Sequence, residues 1–152
     1  MLLLLDASAL LNDFGFEFKK NESYSTTNLV FSEFRDFRSR NLAEHALQKG
    51  ILKICDPSFP SVRRAHSIAN SCEVKSLSDA DISIFALALE FKGKQKFVLV
   101  TDDYPVQFLC KRAGIPFESV IRGKTKKKSR KPKKTVSSFL KKSSKPPKKT
   151  SK

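Results

Sequence analysis

MLLLLDASALLN, residues 1–12, is a short apolar run that ends abruptly in a carboxylate and passes straight into a helical pattern. Leu2–Leu5 is too short for a buried helix and is closed by a polar residue. It therefore reads as a buried strand of a parallel sheet, with Ala7–Asn12 as the helix leaving its carboxyl end. FVLVTDD, residues 97–103, repeats the device: Phe97–Val100 runs into Thr101, Asp102 and Asp103. In open α/β sheets functional groups gather at the carboxyl ends of the strands. Two strands far apart in the chain would thus deliver acids to one edge. Their repulsion raises the carboxyl pKa values unless a positive charge sits between them, and a divalent metal is the simplest such charge.

The chain between these runs alternates strands with helices. The neighbourhood of Tyr24 reads as a short strand. Thr26 and Thr27 then offer N-caps to a helix running to about Arg40. Leu42–Lys49 is helical and stops at Gly50. Ile51–Cys55 is a further strand, closed by Asp56-Pro57. Ser61–Glu73 places Val62, Ala65, Ile68, Ala69 and Cys72 on one side of a helix, and Ile82–Phe91 is apolar almost all round, as in a buried helix. After the strand at Phe97, Pro105 opens a helix that ends at Gly114. Phe117–Ile121 makes the last strand. The expected architecture is a three-layer α/β/α domain with a central, mostly parallel sheet of about five strands.

With 152 residues and 39% hydrophobic composition, the chain suits one domain with an ordinary core. Charge divides it sharply. Residues 1–121 carry 15 basic and 15 acidic side chains, whereas residues 122–152 carry 15 basic and no acidic ones, so the whole net charge of +15 lies in the second segment. A neutral body (1–121) followed by a Lys, Ser, Thr and Pro-rich segment (122–152) reads as a globular domain with a disordered polycationic tail, whose natural partner is nucleic acid. A purely solubilising tail is the competing reading. Leu2–Leu5 has no basic flank before it and is cut short by Asp6, so an exported leader is not expected. No apolar stretch approaches the ~20 residues that a membrane span requires. Cys55, Cys72 and Cys110 form no CxxC pair. They read as reduced, buried thiols of a cytoplasmic protein and exclude a zinc knuckle. His45 and His66 lack paired ligands and are given no catalytic role.

Two further acids, Glu33 and Asp81, bear on the strand ends. In a continuous helix from Thr27, the residues Leu29, Val30, Phe34 and Phe37 form one apolar stripe with Glu33 in its middle, where a carboxylate is costly unless paired or metal-bound. Asp81 stands in Ser78-Asp79-Ala80-Asp81, which also matches a capping box and gives Asp81 a purely structural alternative. Asp103 has a similar alternative, because it precedes the helix opened by Pro105 and could cap it. Asp102 has none.

Together these elements resemble the PIN-domain ribonucleases: a first strand ending in Asp6-Ala7-Ser8, a helical Glu33, Asp81 opening a later helix, and a strand ending in Thr101-Asp102-Asp103. Thr26-Thr27, Glu33-Phe34-Arg35-Asp36, LSDADISIFALALE (77–90) and TDDYPVQ (101–107) look more narrowly like the Nob-type PIN endonucleases, in the short archaeal-like form. That family trims the 3′ end of small-subunit ribosomal RNA precursors. The resemblance implies hydrolysis of RNA phosphodiesters assisted by Mg²⁺ or Mn²⁺. Asp6, Glu33, Asp81 and Asp102 or Asp103 would hold the metal as catalytic acids, and Ser8 and Thr101 would orient acids or water.

The family's usual zinc ribbon is missing, and the basic segment stands in its place. The expectation is that Lys124, Lys126, Lys127, Lys128, Arg130, Lys131, Lys133 and Lys134 contact phosphates in part substitution for it. The expected partner is RNA, in the form of small-subunit pre-rRNA or the pre-ribosomal subunit. A homodimer is an allowed state, and no membrane partner is expected. Three other readings stay open. They are a toxin-type PIN ribonuclease, a non-catalytic RNA-binding scaffold, and a clamp-associated nuclease suggested by Val136, Phe139 and Leu140. Lys133 stands where the clamp-binding motif has Gln, which argues against the last.

Overall fold

The computed structural model describes residues 1–120. In chain order the elements are β1 (Leu2–Leu5), α1 (Ala7–Leu11), β2 (Ser23–Thr26), α2 (Asn28–Phe31), α3 (Phe37–Gln48) and β3 (Leu52–Ile54). They continue with α4 (Phe59–Ser71), α5 (Asp79–Phe91), β4 (Phe97–Val100), α6 (Tyr104–Ala113) and β5 (Phe117–Glu118). The five strands form one sheet in the order β3-β2-β1-β4-β5, and every pairing is parallel. Leu2–Leu5 pairs residue for residue with Phe97–Val100, so the two carboxylate-terminated runs of the sequence lie side by side at the centre.

The connections step from β1 outward to β2 and β3, then return across β1 to β4 and β5. For right-handed crossovers this reversal sends the helices after β1 and β2 to one face and those after β3 and β4 to the other. The result is the expected three-layer α/β/α arrangement. Helix α5 packs against α4, α6, α2 and β1. That setting explains its composition: Ala80 and every residue from Ile82 to Leu89 are buried, so no polar face is needed. The sheet side of the core is made of Leu4, Leu5, Leu52, Phe97 and Leu99. The return from α6 to β5 needs a left-handed residue, and Gly114 supplies it at φ +70°.

The segment between β2 and β3 departs from the sequence reading. One helix from Thr27 to Arg40, followed by another at Leu42–Lys49, becomes the single-turn α2 and the long α3, with the break at residues 32–36. Two caps decide the division. Thr27 Oγ1 accepts from Val30 N at 3.1 Å, and Asp36 Oδ2 accepts from Ser39 N at 2.8 Å. The supposed apolar stripe does not exist as a buried face: Val30 and Phe34 are buried, but Leu29 is 47% and Phe37 83% exposed. β5 is also shorter than expected, pairing only through Phe117 and Glu118. Among the described residues no helix is long and apolar enough to cross a membrane. The expected basic tail (122–152), with its phosphate-contacting positions and the Val136–Leu140 island, lies outside the described residues.

Candidate metal centre

The topology reverses direction at β1, so a crevice opens between the carboxyl ends of β1 and β4, where open α/β sheets place their ligands. Asp6 leaves β1 into this crevice and occupies the N-cap position of α1, yet its side chain makes no capping hydrogen bond. Its carboxylate accepts instead from Thr101 Oγ1 at 2.7 Å and from Ser8 Oγ at 3.1 Å, both on Oδ2. Each hydroxyl is in turn fed by a backbone amide. Asp102 N donates to Ser8 Oγ at 2.9 Å, and Asp103 N donates to Thr101 Oγ1 at 3.1 Å. Two parallel N–H to O–H to carboxylate relays thus tie the end of β4 to the end of β1, and such chains polarise one another. Gln107, on α6, holds the corner from behind by donating Nε2 to the Thr101 carbonyl at 2.8 Å.

Asp81 arrives from a third element. The capping box is present in full: Ser78 Oγ accepts from Asp81 N at 3.1 Å, and Asp81 Oδ2 accepts from Ser78 N at 3.0 Å. The capping and functional readings of Asp81 are therefore compatible. The same carboxylate also belongs to a cluster in which one oxygen each of Asp6, Asp81 and Asp103 lies within 4.8 Å of the others. Asp103, at the N-cap of α6, makes no side-chain capping bond, so the purely structural alternative for it does not hold. Asp102 turns elsewhere, and its Oδ1 accepts a short hydrogen bond from Ser119 Oγ beyond β5.

Glu33 sits on the turn after α2 rather than on a helix. It contributes no oxygen to the three-acid cluster, but its charge is felt there. Burial pushes the Asp103 carboxyl up first, and the charges of Asp81 and Glu33 push it further. Glu33 itself is raised by burial and then by Asp81, against a smaller lowering by Arg35. Asp6 is raised to about 6, chiefly by burial, which outweighs the hydroxyls of Thr101 and Ser8; Asp81 adds to the rise. No lysine, arginine or histidine of the described residues forms an ion pair with Asp6, Asp81 or Asp103. Beneath them Cys110 is buried and its thiol is pushed up to about 12, by burial and by Asp6, so it contributes a neutral group. Crowded carboxylates without a compensating cation, offering only hard oxygen atoms, are a donor set that fits a hard divalent ion.

Residues 3–91 match the family described as the PIN domain of ribonuclease. The chain is 38% identical over 122 residues to the endoribonuclease Nob1 of Methanothermobacter thermautotrophicus, covering 80% of this chain and 70% of that protein. It belongs to the Nob-type PIN-domain ribonucleases. The Nob1 of Pyrococcus abyssi is similar at 32% identity with the same coverage of both chains. The ribonuclease VapC3 of Aeropyrum pernix matches at 36% over 93 residues, covering 60% of this chain and 67% of its own. Among solved structures, VapBC2 from Rickettsia felis bound to a promoter DNA fragment aligns at a TM-score of 0.51 and 17% identity. The alignment covers 78% of this chain and 98% of that one, and it shows the shared fold alone.

Within this Nob-type PIN domain, three hydroxyls escaped the sequence reading as parts of the site: Thr27, Ser83 and Ser119. Thr27 Oγ1 and Ser83 Oγ lie 2.7 Å apart and bind α2 to α5, fixing the turn that bears Glu33 against the helix that bears Asp81. Ser83 did carry a signal, as the lone hydroxyl inside the apolar ISIFALAL run. Ser119 carried none, because its partner Asp102 is remote in sequence.

Proposed function

We propose that the chain is a Mg²⁺- or Mn²⁺-dependent endoribonuclease that matures the 3′ end of small-subunit ribosomal RNA. The nuclease domain is residues 1–121, and the basic segment 122–152 holds RNA phosphates. One observation carries the catalytic reading. Asp6, Asp81 and Asp103, delivered by three separate elements, meet within 4.8 Å, and among the described residues no cationic side chain pairs with them. A protein that only bound RNA would gain nothing from concentrating negative charge in its cleft. The rRNA assignment rests on the likeness to Nob1 proteins over four-fifths of the chain.

In this reading Asp6, Asp81 and Asp103 are the metal ligands, with Glu33 at the margin of the same charge cluster. A divalent ion bound there supplies Lewis-acid stabilisation of the charge developing on the scissile phosphodiester and a water activated as nucleophile. The chain's own contribution is positioning. Thr101 and Ser8 lock the rotamer of Asp6, the capping box locks Asp81, and the carboxylate–Ser119 bond of Asp102 fixes the corner from which Asp103 projects. Preorganised groups of this kind lose no reorganisation energy during the reaction.

The test is incubation of the purified full chain with Mn²⁺ and an RNA spanning the small-subunit rRNA 3′ end. Asp6→Asn, Asp81→Asn and Asp103→Asn variants run beside it. A single cut, lost in all three variants, is the expected result. Uniform degradation of tRNA or mRNA, with growth arrest on expression, would instead support the toxin-type role, to which the VapC3 similarity gives some weight.

A further inference from the structure

The two ends of the sheet carry opposite charge. All pairings are parallel, so one end is where the five strands enter and the other is where they leave. The residues just past the strand ends include Asp6, Asp56, Asp102 and Asp103 and no lysine or arginine. At the entering end the pattern is inverted. In the order of the sheet, Lys49 leads into β3, Lys19 and Lys20 into β2, and Lys92, Lys94 and Lys96 into β4. Lys111 and Arg112 close α6 before β5. All eight are exposed. The segments leading into the strands (1, 19–22, 49–51, 92–96 and 111–116) thus hold eight of the 15 basic residues of 1–121 but one of the 15 acidic ones. That one acid, Glu22, is paired with the amino group of Met1 at 3.3 Å. Among the described residues none of the eight cations makes an ion pair. Lys92 Nζ donates to the Ala113 carbonyl, which joins the cations before β4 to those at the end of α6.

Helix ends explain only part of this. A helix C-terminus favours a cation, and Lys49, Lys92, Lys111 and Arg112 stand at the ends of α3, α5 and α6. Lys19, Lys20, Lys94 and Lys96 lie on loops beyond any last turn. Like charges gathered without partners repel one another, and a polyanion relieves that repulsion. We propose that the entering end of the sheet is a second RNA contact of the domain, which holds the backbone of a double-helical RNA element away from the acidic cluster. The inference rests on the ribonuclease reading for the kind of polymer and adds a separate surface for it. Seven of the eight cations are lysines, point charges that suit phosphate and lack the planar fork with which arginine reads a base edge. Five strands at about 4.8 Å spacing make this end about 19 Å wide, a face rather than a thread, and a double helix is recognised through its shape and its two backbones. Lys96 and Asp102 lie six residues apart along β4, about 20 Å, so the two ends cannot share one phosphate. A helix anchored at one end raises the local concentration of the strand to be cut at the other.

Lysine acetylation, read by mass spectrometry on the full chain, tests the contact directly. On an Asp6→Asn background, which keeps RNA intact, a saturating RNA hairpin should slow acetylation of Lys19, Lys20, Lys94 and Lys96 severalfold. Lys53 and Lys75, equally exposed but outside this end of the sheet, should react as before. Replacing Lys19, Lys20, Lys94 and Lys96 by glutamine in the full chain should flatten the dependence of log affinity for the hairpin on log salt by about 3, at about 0.9 for each phosphate contact on a double helix. In the Asp6 parent the same four replacements should raise KM for an RNA bearing a hairpin about tenfold and leave kcat unchanged, and both constants for a short unstructured RNA should stay as they were. Unchanged acetylation of the four lysines at saturating hairpin, or protection confined to residues 122–152, would overturn the contact. Protection by phosphatidylserine vesicles but not by the hairpin would overturn it too, and would give the face to a membrane. If the parent still cuts RNA in those cases, the ribonuclease reading survives alone. Protection of the four lysines by the hairpin in a chain that cuts no RNA would uphold the contact and sink the ribonuclease reading.

Discussion

Thr101 Oγ1 donates to Asp6 Oδ2 at 2.7 Å while accepting from Asp103 N at 3.1 Å. One buried hydroxyl thereby sets the rotamer of one cluster acid and the backbone of another. The T-x-D spacing makes this possible, since a residue at the end of β4 faces the end of β1 and the acid two positions on begins α6. Thr101→Val keeps the shape and removes the donor. It should lower single-turnover cleavage by about one to two orders of magnitude and cost about 1–3 kcal/mol in stability, because a buried carboxylate loses its best partner. Thr101→Ser should restore most of both. Denaturant titration beside cleavage assays checks the pair, and unaltered cleavage in Thr101→Val would remove the hydroxyl from the site.

Asp6 sets a trade between stability and activity. Its folded pKa is raised to about 6 from 3.8. Between those values the native state binds more protons than the unfolded one, so this group's contribution falls as pH rises from about 4 through 6. The penalty is then complete at neutral pH, where it amounts to about 3 kcal/mol. Asp6→Asn should therefore raise the melting temperature of the metal-free protein by several degrees at pH 7–8, with the gain disappearing near pH 4, while abolishing cleavage. Asp36 and Glu90 have lowered pKa values and act in the opposite sense, their contribution being lost as pH falls. Both lie outside the acidic cluster, so the difference between parent and variant reports Asp6 together with the groups its charge reaches, Asp81 and Cys110.

A divalent ion should reverse that penalty. If Asp6, Asp81 and Asp103 are the ligands, Mn²⁺ at about 100 times its dissociation constant should stabilise the fold by about 2.7 kcal/mol. The effect should be larger at pH 8 than at pH 5, where raised carboxyl pKa values make protons compete for the same oxygens. Thermal melts with Mn²⁺ and with EDTA at both pH values measure this. A metal-independent melting temperature at pH 8 would argue against the ligand set.

The two neighbouring aspartates should separate cleanly. Asp103→Asn removes a cluster oxygen and should abolish both Mn²⁺ stabilisation and cleavage. Asp102→Asn keeps an acceptor for Ser119 and should retain Mn²⁺ stabilisation, with only a few-fold loss of rate. Ser119→Ala should resemble Asp102→Ala in its kinetics. Titration calorimetry with Mn²⁺ distinguishes the two positions directly.

Legibility in the sequence followed the range of the interactions concerned. Leu2–Leu5 and Phe97–Val100 announced themselves because buried parallel strands are apolar on both faces, and their terminal acids had no apolar alternative. Helix α5 was legible for the same reason. The break between α2 and α3 was not read, although Asp36 with Ser39 carries the local cap that causes it, because Phe34 and Phe37 looked like one stripe. Phe37 is in fact exposed, which composition alone does not reveal. Glu33 was therefore placed near the cluster on reasoning that the fold does not support. The division of labour between Asp102 and Asp103 depends on Ser119, 17 residues away, and no local pattern encodes that contact. Asp81 posed a false choice, because a carboxylate has two oxygens and can cap a helix with one.

The basic segment supplies the last expectation, and it is electrostatic. Lys124, Lys126, Lys127, Lys128, Arg130, Lys131, Lys133 and Lys134 belong to the segment proposed to hold RNA phosphates. Each contact with a single-strand phosphate steepens the dependence of log affinity on log salt by about 0.7. Replacing the first four lysines by glutamine should flatten that slope by up to about 3 and weaken binding most at low salt, without changing the position of the cut. Anisotropy titrations across a salt series, with mapping of the cleaved ends, test both parts. An unchanged slope would mean that these side chains meet something other than phosphate, whereas a displaced cut would show that the segment selects the site as well as holding the strand.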